Sequence, residues 1–236
     1  MAATLVARQL ADTHRLRQLA VRADTLRRLS IAMRLLDPAD VDATFPRFAA
    51  VTTTVLRAGR ADAATLGLGF YEAFRLLELD RPAPARVSAL AADPPPLDTG
   101  HTLAILRITG PITLKQQMSM GNTAGAWQSA YVRTARAVGS LTLDAGRKRL
   151  DEAIRADQRC IGWQRVSSPR SCPFCAMLAD RGAVYKEDTA DFETHAHCGC
   201  SAEPVFRDVP NSFPPAPPIE VTEDSGSFDT QLPALA

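Results

Sequence analysis

Long hydrophobic runs, lysine and net charge are all scarce in this 236-residue chain, and each scarcity narrows what the protein can be. No segment approaches the roughly 18 apolar residues of a membrane span, so we expect no membrane-spanning helix. The formal net charge is only +1 at pH 7, so the overall charge does not indicate any class of binding partner. The basic residues are almost all arginine, which together with abundant alanine indicates a GC-rich genome and does not by itself indicate nucleic-acid binding.

We expect no export signal in the first residues. The charged residues Arg8 and Asp12 follow Met1 to Leu5 too closely for the apolar core of a signal peptide. Without such a signal, cysteines gathered at metal-binding spacing fit a reducing compartment. The apolar fraction of 46% and the charged fraction of 22% are those of an ordinary globular protein with a real core.

What the chain does contain is a cluster of cysteine and histidine between Cys172 and Cys200. Cys172 and Cys175 form a C-x-x-C pair, and a second compact group of Cys and His side chains follows it. Two thiolates on one tight turn can occupy neighbouring corners of a tetrahedron, and a second turn supplies the other two. Pro173 stiffens the first turn and Gly199 lets the second bend sharply. The spacing therefore predicts a structural Zn²⁺ site.

The ligand set stays open, because six side chains compete for four positions. The candidates are Cys172, Cys175, His195, His197, Cys198 and Cys200. Cys172 and Cys175 are the first pair, and from the second group we favour His195 with either Cys198 or Cys200. His197 is interpreted as a neighbour of the site and not as a ligand. Four protein ligands would close the site, which makes the Zn²⁺ structural and not catalytic.

Three other interpretations of these cysteines stay open beside the metal site. The thiols could be buried as small hydrophobic groups, paired in two disulfides, or used as a redox C-x-x-C. The redox interpretation needs a strand before the motif within a βαβ unit, and the sequence shows no such unit. Cys160 stands apart from the cluster and is interpreted as a packed thiol.

The periodicity of leucine and alanine predicts a mainly α-helical protein with a small zinc-stapled α+β module near the C-terminus. The predicted organisation is a helical region at 1–80, a proline-rich hinge at 81–100, a second helical region at 101–159, a Cys/His zinc-binding module at 160–208 and an acidic, proline-rich disordered tail at 209–236. Ala85 to Ala92 could form a short helix within the hinge. Gly162–Val166, Tyr185 and Val205–Phe206 are expected to be extended, in a short hairpin beside the metal.

Three local features are predicted within the helical regions. An apolar stripe from Leu16 to Leu36 should face the core, and the arginines around it are interpreted as a solvated face. The next helices should be separated by a break near residues 57–60. Gly110-Pro111 should end the segment that precedes it.

Several stretches resemble phage Mu F-like (MuF) minor head proteins, in particular the versions found in tailed phages and prophages of actinobacteria. The most specific are Cys172–Leu178 and Arg181–Tyr185, which are similar to that family's C-x-x-C motif and the R-G turn after it. The H-x-x-C-x-C positions are occupied by His195, Cys198 and Cys200. Weaker similarity covers Phe70–Arg75, Gly146–Asp157 and Gly162–Val166, so the resemblance extends over much of the chain. The chain departs at Ala196 and Gly199, where the wider family often has proline and arginine.

The resemblance implies a minor structural protein of the phage head. Such a protein would sit inside the head near the portal at low copy, and in the host cytoplasm during assembly. Its implied partners are the portal protein, then the major capsid or scaffold protein and the genomic DNA, with no membrane. It would act in head assembly and in DNA packaging or ejection.

Two enzymatic functions are alternatives to this structural role. Some actinobacterial phage proteins of this type are labelled capsid maturation proteases. However, His14 and His101 lie in no informative motif and H-E-x-x-H is absent. A zinc-supported HNH-type nuclease would need another metal-binding histidine or asparagine after the cluster, where the chain offers only Asn211. We therefore assign no catalytic and no cofactor-binding residues.

Overall fold

The computed structural model of the chain describes residues 2–93, 95–167, 173–182, 185–186 and 200–207. Its helices are α1 (Ala2–Met33), α2 (Val41–Leu79), α3 (Ala85–Ser88), α4 (Thr99–Arg107), α5 (Thr113–Ser119), α6 (Thr123–Ala156) and α7 (Pro173–Asp180). Its strands are β1 (Cys160–Val166), β2 (Tyr185–Lys186) and β3 (Ser201–Phe206). The long helices α1, α2 and α6 pack against one another, which confirms the mainly α-helical prediction. None of the described helices is both long and apolar enough to cross a membrane.

The predicted apolar stripe of α1 is confirmed at its end, where Leu29, Met33 and the following Leu36 are buried. Earlier in the helix the buried face consists largely of small and polar side chains and differs from the stripe. Leu16 is 58% exposed to solvent. The buried positions include Ala7, Ala11, His14, Gln18, Thr25, Leu29 and Met33. They recur about every 3.5 residues, which is the spacing of a seam between packed helices. On the opposite face, Arg27 and Arg28 are exposed and pair with Asp24, as expected of a solvated surface.

Helix α2 runs without interruption through Gly59, so the predicted break near residues 57–60 is wrong. Gly59 is buried and faces both Thr25 of α1 and Thr142 of α6. A Cβ built at this position would lie 3.3 Å from the Thr142 methyl carbon. The glycine therefore serves close packing of three helices and does not end a helix.

Helices α2 and α6 come together at two further glycines. A Cβ built on Gly67 would lie 2.5 Å from the carbonyl oxygen of Gly146. Real Cβ atoms do not come this close to other atoms, and a backbone carbonyl cannot rotate aside as a side chain can. The absence of a side chain at residue 67 thus sets the distance between the two helices.

The segment between α2 and α4, of which residues 80–93 and 95–98 are described and which we call the strap, is held against the bundle by three buried arginines. Their hydrogen bonds run from Arg75 to the carbonyls of Arg81 and Pro82, from Arg60 to those of Pro95 and Pro96, and from Arg149 to that of Asp93. These guanidinium groups supply donors to backbone carbonyls of a segment in which the prolines contribute no N–H groups. The short helix predicted at Ala85–Ala92 is confirmed as α3 followed by a 3₁₀ turn.

Helix α4 passes into α5 through one wider turn at Ile108–Ile112, so the prediction that Gly110-Pro111 ends the helix is wrong. The turn has π-helical hydrogen bonding and contains Pro111, which has no N–H to donate. Thr113 Oγ1 donates to the carbonyl oxygen of Ile108 at 3.0 Å across it. A proline that would break an α-helix is thereby accommodated.

The three strands form one antiparallel sheet in the order β2-β1-β3, which confirms the extended segments predicted before and after the cysteine motif. Trp163 of β1 and Phe206 of β3 are buried in one core cluster with Tyr71 and Phe74 of α2. The Phe206 ring lies 6.2 Å from the Tyr71 ring, centroid to centroid. The sheet is therefore part of the core at one end of the bundle. A second cluster, around Leu29, Phe48 and Leu106, fills the other end.

Candidate metal centre

Two of the predicted metal ligands, Cys175 and Cys200, lie within the part of the chain that the structure describes. Cys175 is in the first turn of α7, and Cys200 directly precedes β3. Both side chains are buried, at 2% and 5% exposure. The remaining candidates, Cys172, His195, His197 and Cys198, lie outside the described residues.

The pairing of β1 with β3 explains why these two cysteines adjoin the same sheet. Val166, the last residue of β1, pairs with Ser201, the first residue of β3. Cys200 therefore lies at the end of the ladder where β1 finishes. Helix α7, which carries Cys175, packs against β1. Residues 25 positions apart in the sequence, from 175 to 200, are thus attached to one small element.

The chemistry of the two thiols fits Zn²⁺, although the described residues do not assemble a site. Cys160, Cys175 and Cys200 form no disulfide. Thiolates are preferred ligands of structural zinc. Among residues 2–93, 95–167, 173–182, 185–186 and 200–207, no group of three His, Cys, Asp or Glu side chains could hold a metal ion. The zinc-stapled part of the fold prediction is therefore unsupported, and the ligand assignment stays a prediction.

Cys160 is a packed thiol, as predicted. Its side chain is 3% exposed and contributes to the core cluster that joins the sheet to the bundle. Burial raises the pKa of the Cys160 thiol to about 11. The neutral thiol donates a weak hydrogen bond to the Gly162 carbonyl oxygen at 3.3 Å. A neutral, enclosed thiol is a poor nucleophile and a poor metal ligand.

A buried ion pair fixes the entry from α6 into β1, and sequence reasoning missed it. Asp157 accepts hydrogen bonds from Arg75 Nε at 2.5 Å, Tyr71 Oη at 3.0 Å and the Arg159 backbone N–H at 3.0 Å. Burial opposes the charge of the carboxylate, but these donors outweigh it and hold the Asp157 pKa below its usual value. The sequence contains one sign of this ion pair: Arg75 follows Tyr71 by one helical turn, which places a charged residue on an apolar helix face.

A cavity of about 20 Å³, which we call the junction cavity, lies between α1, α6 and the start of β3. Its lining includes His14, Arg15, Gln18, Gly146, Arg147, Cys200 and Ser201. The His14 ring stacks on Phe70 at 4.3 Å between centroids. Burial, together with the charge of Arg17, lowers the His14 pKa to about 4, so the imidazole is neutral at pH 7. The cavity therefore carries polar groups directly beside Cys200.

The histidines considered for proteolysis lie in separate places. His14 is buried in α1, whereas His101 is exposed in the first turn of α4. The His101 backbone N–H donates to Asp98 Oδ1 at 2.9 Å, an interaction that caps the helix.

Fold and site together define a helical-bundle protein with a cysteine-bearing three-stranded sheet built into one end of its core. The chain belongs to the VG15 protein family, whose match covers residues 5–222. This family is phage-associated, and membership supports a phage origin. Neither the search of the curated proteins nor the search of the solved structures found a match.

Proposed function

We propose that this chain is a MuF-like minor structural protein of the phage head that associates with the portal protein. The observation that carries the proposal is the Cys/His motif at 172–200, which resembles the MuF motif within a chain of a phage-associated family. The helical bundle agrees with a structural role because three of its buried charged side chains hold parts of the chain together. Asp157, Arg60 and Arg149 all bind neighbouring parts of the same chain.

On this proposal the protein lies inside the head near the portal and acts in head assembly and in DNA packaging or ejection. The portal protein is the first partner, followed by the major capsid or scaffold protein and the genomic DNA. The π-turn exposes Ile108 and Ile112 beside Leu106 of the second core cluster, and this apolar surface supports a contact with another protein.

Zinc completes the proposal as a structural ion near the sheet. The ligands would be drawn from Cys172, Cys175, His195, Cys198 and Cys200. Cys175 and Cys200 are buried and adjoin β1, as two such ligands should be. The segment between them has few large apolar groups, so metal binding would supply the local folding free energy that a core does not.

Native mass spectrometry of the full chain tests the metal. We expect one Zn²⁺ per chain, and Co²⁺ substitution should give the visible absorption of tetrahedral thiolate coordination. Cys175→Ser should lose the ion, whereas Cys160→Ala should keep it, because the Cys160 thiol is enclosed in the core. Zinc-free protein with the wild-type sequence, folded and monodisperse, would contradict the metal assignment.

Co-purification tests the partner. The chain would be co-expressed with the portal protein of the same phage, and the two would be separated from unbound chain on a density gradient. Co-sedimentation of the wild-type chain supports the proposal. Free sedimentation of both proteins, with the chain shown to be folded by circular dichroism, would count against a direct portal contact.

A further inference from the structure

The junction cavity contains buried polar atoms that the protein does not satisfy. Gln18 Oε1 of α1 and Ser201 Oγ of β3 have no hydrogen-bond partner among the described residues. Both residues are more than nine-tenths buried, with exposures of 8% and 7%. Arg15 Nε is also buried without a hydrogen-bond acceptor, because the carboxylate oxygen that it faces, Asp12 Oδ1, is 3.6 Å away and beyond hydrogen-bonding distance. All three residues line the one cavity.

The hydrogen bond of the Gln18 amide nitrogen fixes the orientation of the amide group. Gln18 Nε2 donates to the Ala63 carbonyl oxygen at 2.8 Å within the bundle. A flipped amide would turn its oxygen toward that carbonyl, two acceptors facing each other, and would lose the bond. The acceptor Oε1 must therefore point toward the cavity, where it needs a donor.

The three groups together select the ligand. Gln18 Oε1 only accepts hydrogen bonds, Arg15 Nε only donates them, and the Ser201 hydroxyl does either. An anion such as chloride cannot donate to the glutamine oxygen, and a metal cation cannot accept from the guanidinium. Water does both, and about 20 Å³ is room for one water molecule.

We propose that one ordered water molecule occupies the junction cavity and bridges α1 to the first residue of β3. Buried waters bind polar groups that have no other partner and make about three hydrogen bonds each. Arg147 of α6 reaches the residue directly before this strand, since its Nη2 lies 3.4 Å from the Cys200 carbonyl oxygen. The strand that follows Cys200 is thus attached to the bundle through a solvent molecule, independently of any metal.

A crystal structure of the full chain at about 1.5 Å resolution tests the site directly. We expect one isolated density peak within about 2.6–3.2 Å of Gln18 Oε1, Arg15 Nε and Ser201 Oγ. A second crystal soaked in bromide distinguishes the ligand classes. An anomalous peak at the site would show that it binds a halide and would overturn the proposal. A protein group that donates a hydrogen bond directly to Gln18 Oε1 would also overturn it.

Protein–water NMR provides a second test in solution. A bound water should give long-lived nuclear Overhauser contacts to the backbone amides of Ser201 and Ala202. Ser201→Val should remove these contacts, because the larger side chain removes the hydroxyl and fills the space, while the β-branched residue suits a strand. Contacts that persist unchanged in a folded Ser201→Val variant would place the water elsewhere and contradict the proposal. Ser119→Val, on the exposed end of α5, is the matched control and should leave the contacts unchanged.

Discussion

Removal of the Asp157 carboxylate is the sharpest test of how the sheet is attached to the bundle. Asp157→Asn keeps the shape of the side chain and removes its charge. The carboxylate is the partner of Arg75, and the two side chains are 3% and 7% exposed, so the variant leaves a guanidinium buried without its counter-charge. Loss of one partner from a buried ion pair costs about 3–5 kcal/mol. The total stability of a domain is typically about 5–15 kcal/mol, so the effect should be large.

Urea unfolding of the full chain, followed by circular dichroism at pH 7, measures this cost. Asp24→Asn is the matched control, because Asp24 pairs with the exposed Arg27 and Arg28 on α1 and should change the free energy of unfolding by less than about 1 kcal/mol. The Asp157 pKa lies below its usual value, so its stabilisation should be full at neutral pH and lost as the pH falls through that lowered pKa. Equal costs for Asp157→Asn and Asp24→Asn would refute the inference that the buried pair holds the sheet.

Three further predictions concern packing, protonation and the metal. Gly67→Ala should destabilise the protein by about 1–3 kcal/mol, because the new Cβ meets the Gly146 carbonyl oxygen. Gly69→Ala is the control: a Cβ there has no atom within 4 Å, so this variant should stabilise the protein by about 0.5–1 kcal/mol. Urea midpoints that shift in the same direction for both variants would contradict this prediction. The His14 pKa of about 4 lies below the ordinary 6.5, so its contribution is full above pH 6.5 and falls by about 3 kcal/mol as the pH drops to 4. His14→Leu should flatten that part of a stability-against-pH curve, and an unchanged slope would show that other groups cause it. Cys172→Ser should speed hydrogen exchange at residues 160–208 and leave the N-terminal helices α1 and α2 protected. Equal loss of protection across the chain would argue against local stabilisation by zinc.

The sequence was sufficient for the parts of the fold that depend on local signals. Helical periodicity predicted a mainly helical chain, and the extended residues around Trp163 and Phe206 were expected from their strand-forming character. The packed state of Cys160 followed from its separation from the other cysteines. Each of these conclusions needed only neighbouring residues.

The predictions that failed needed knowledge of the other helices. Gly59 looks like a helix breaker until Thr25 and Thr142 are seen on either side of it. Pro111 looks like a stop until the wider turn removes the need for its N–H. Leu16 is apolar, and its sequence position predicts burial, whereas α1 buries Gln18 and exposes Leu16. Tertiary packing overrides local propensity at each position.

The polar contacts of the candidate site could not be read from the sequence for the same reason. Arg75 and Asp157 are 82 residues apart, and Gln18 and Ala63 are 45 residues apart. No spacing rule links such pairs. The cysteine motif, by contrast, is a local signal, and it was the basis for both the family resemblance and the proposed Zn²⁺.

Mass spectrometry of gradient-purified phage particles tests the central claim, a minor structural role in the head, most directly. Mature particles and proheads from the source phage would be compared, with peptide termini mapped and copies per particle counted. The account predicts the intact chain at a few copies in mature particles. Its absence from mature heads, with its presence in proheads beside a trimmed major capsid protein, would contradict the structural role and favour the capsid maturation protease.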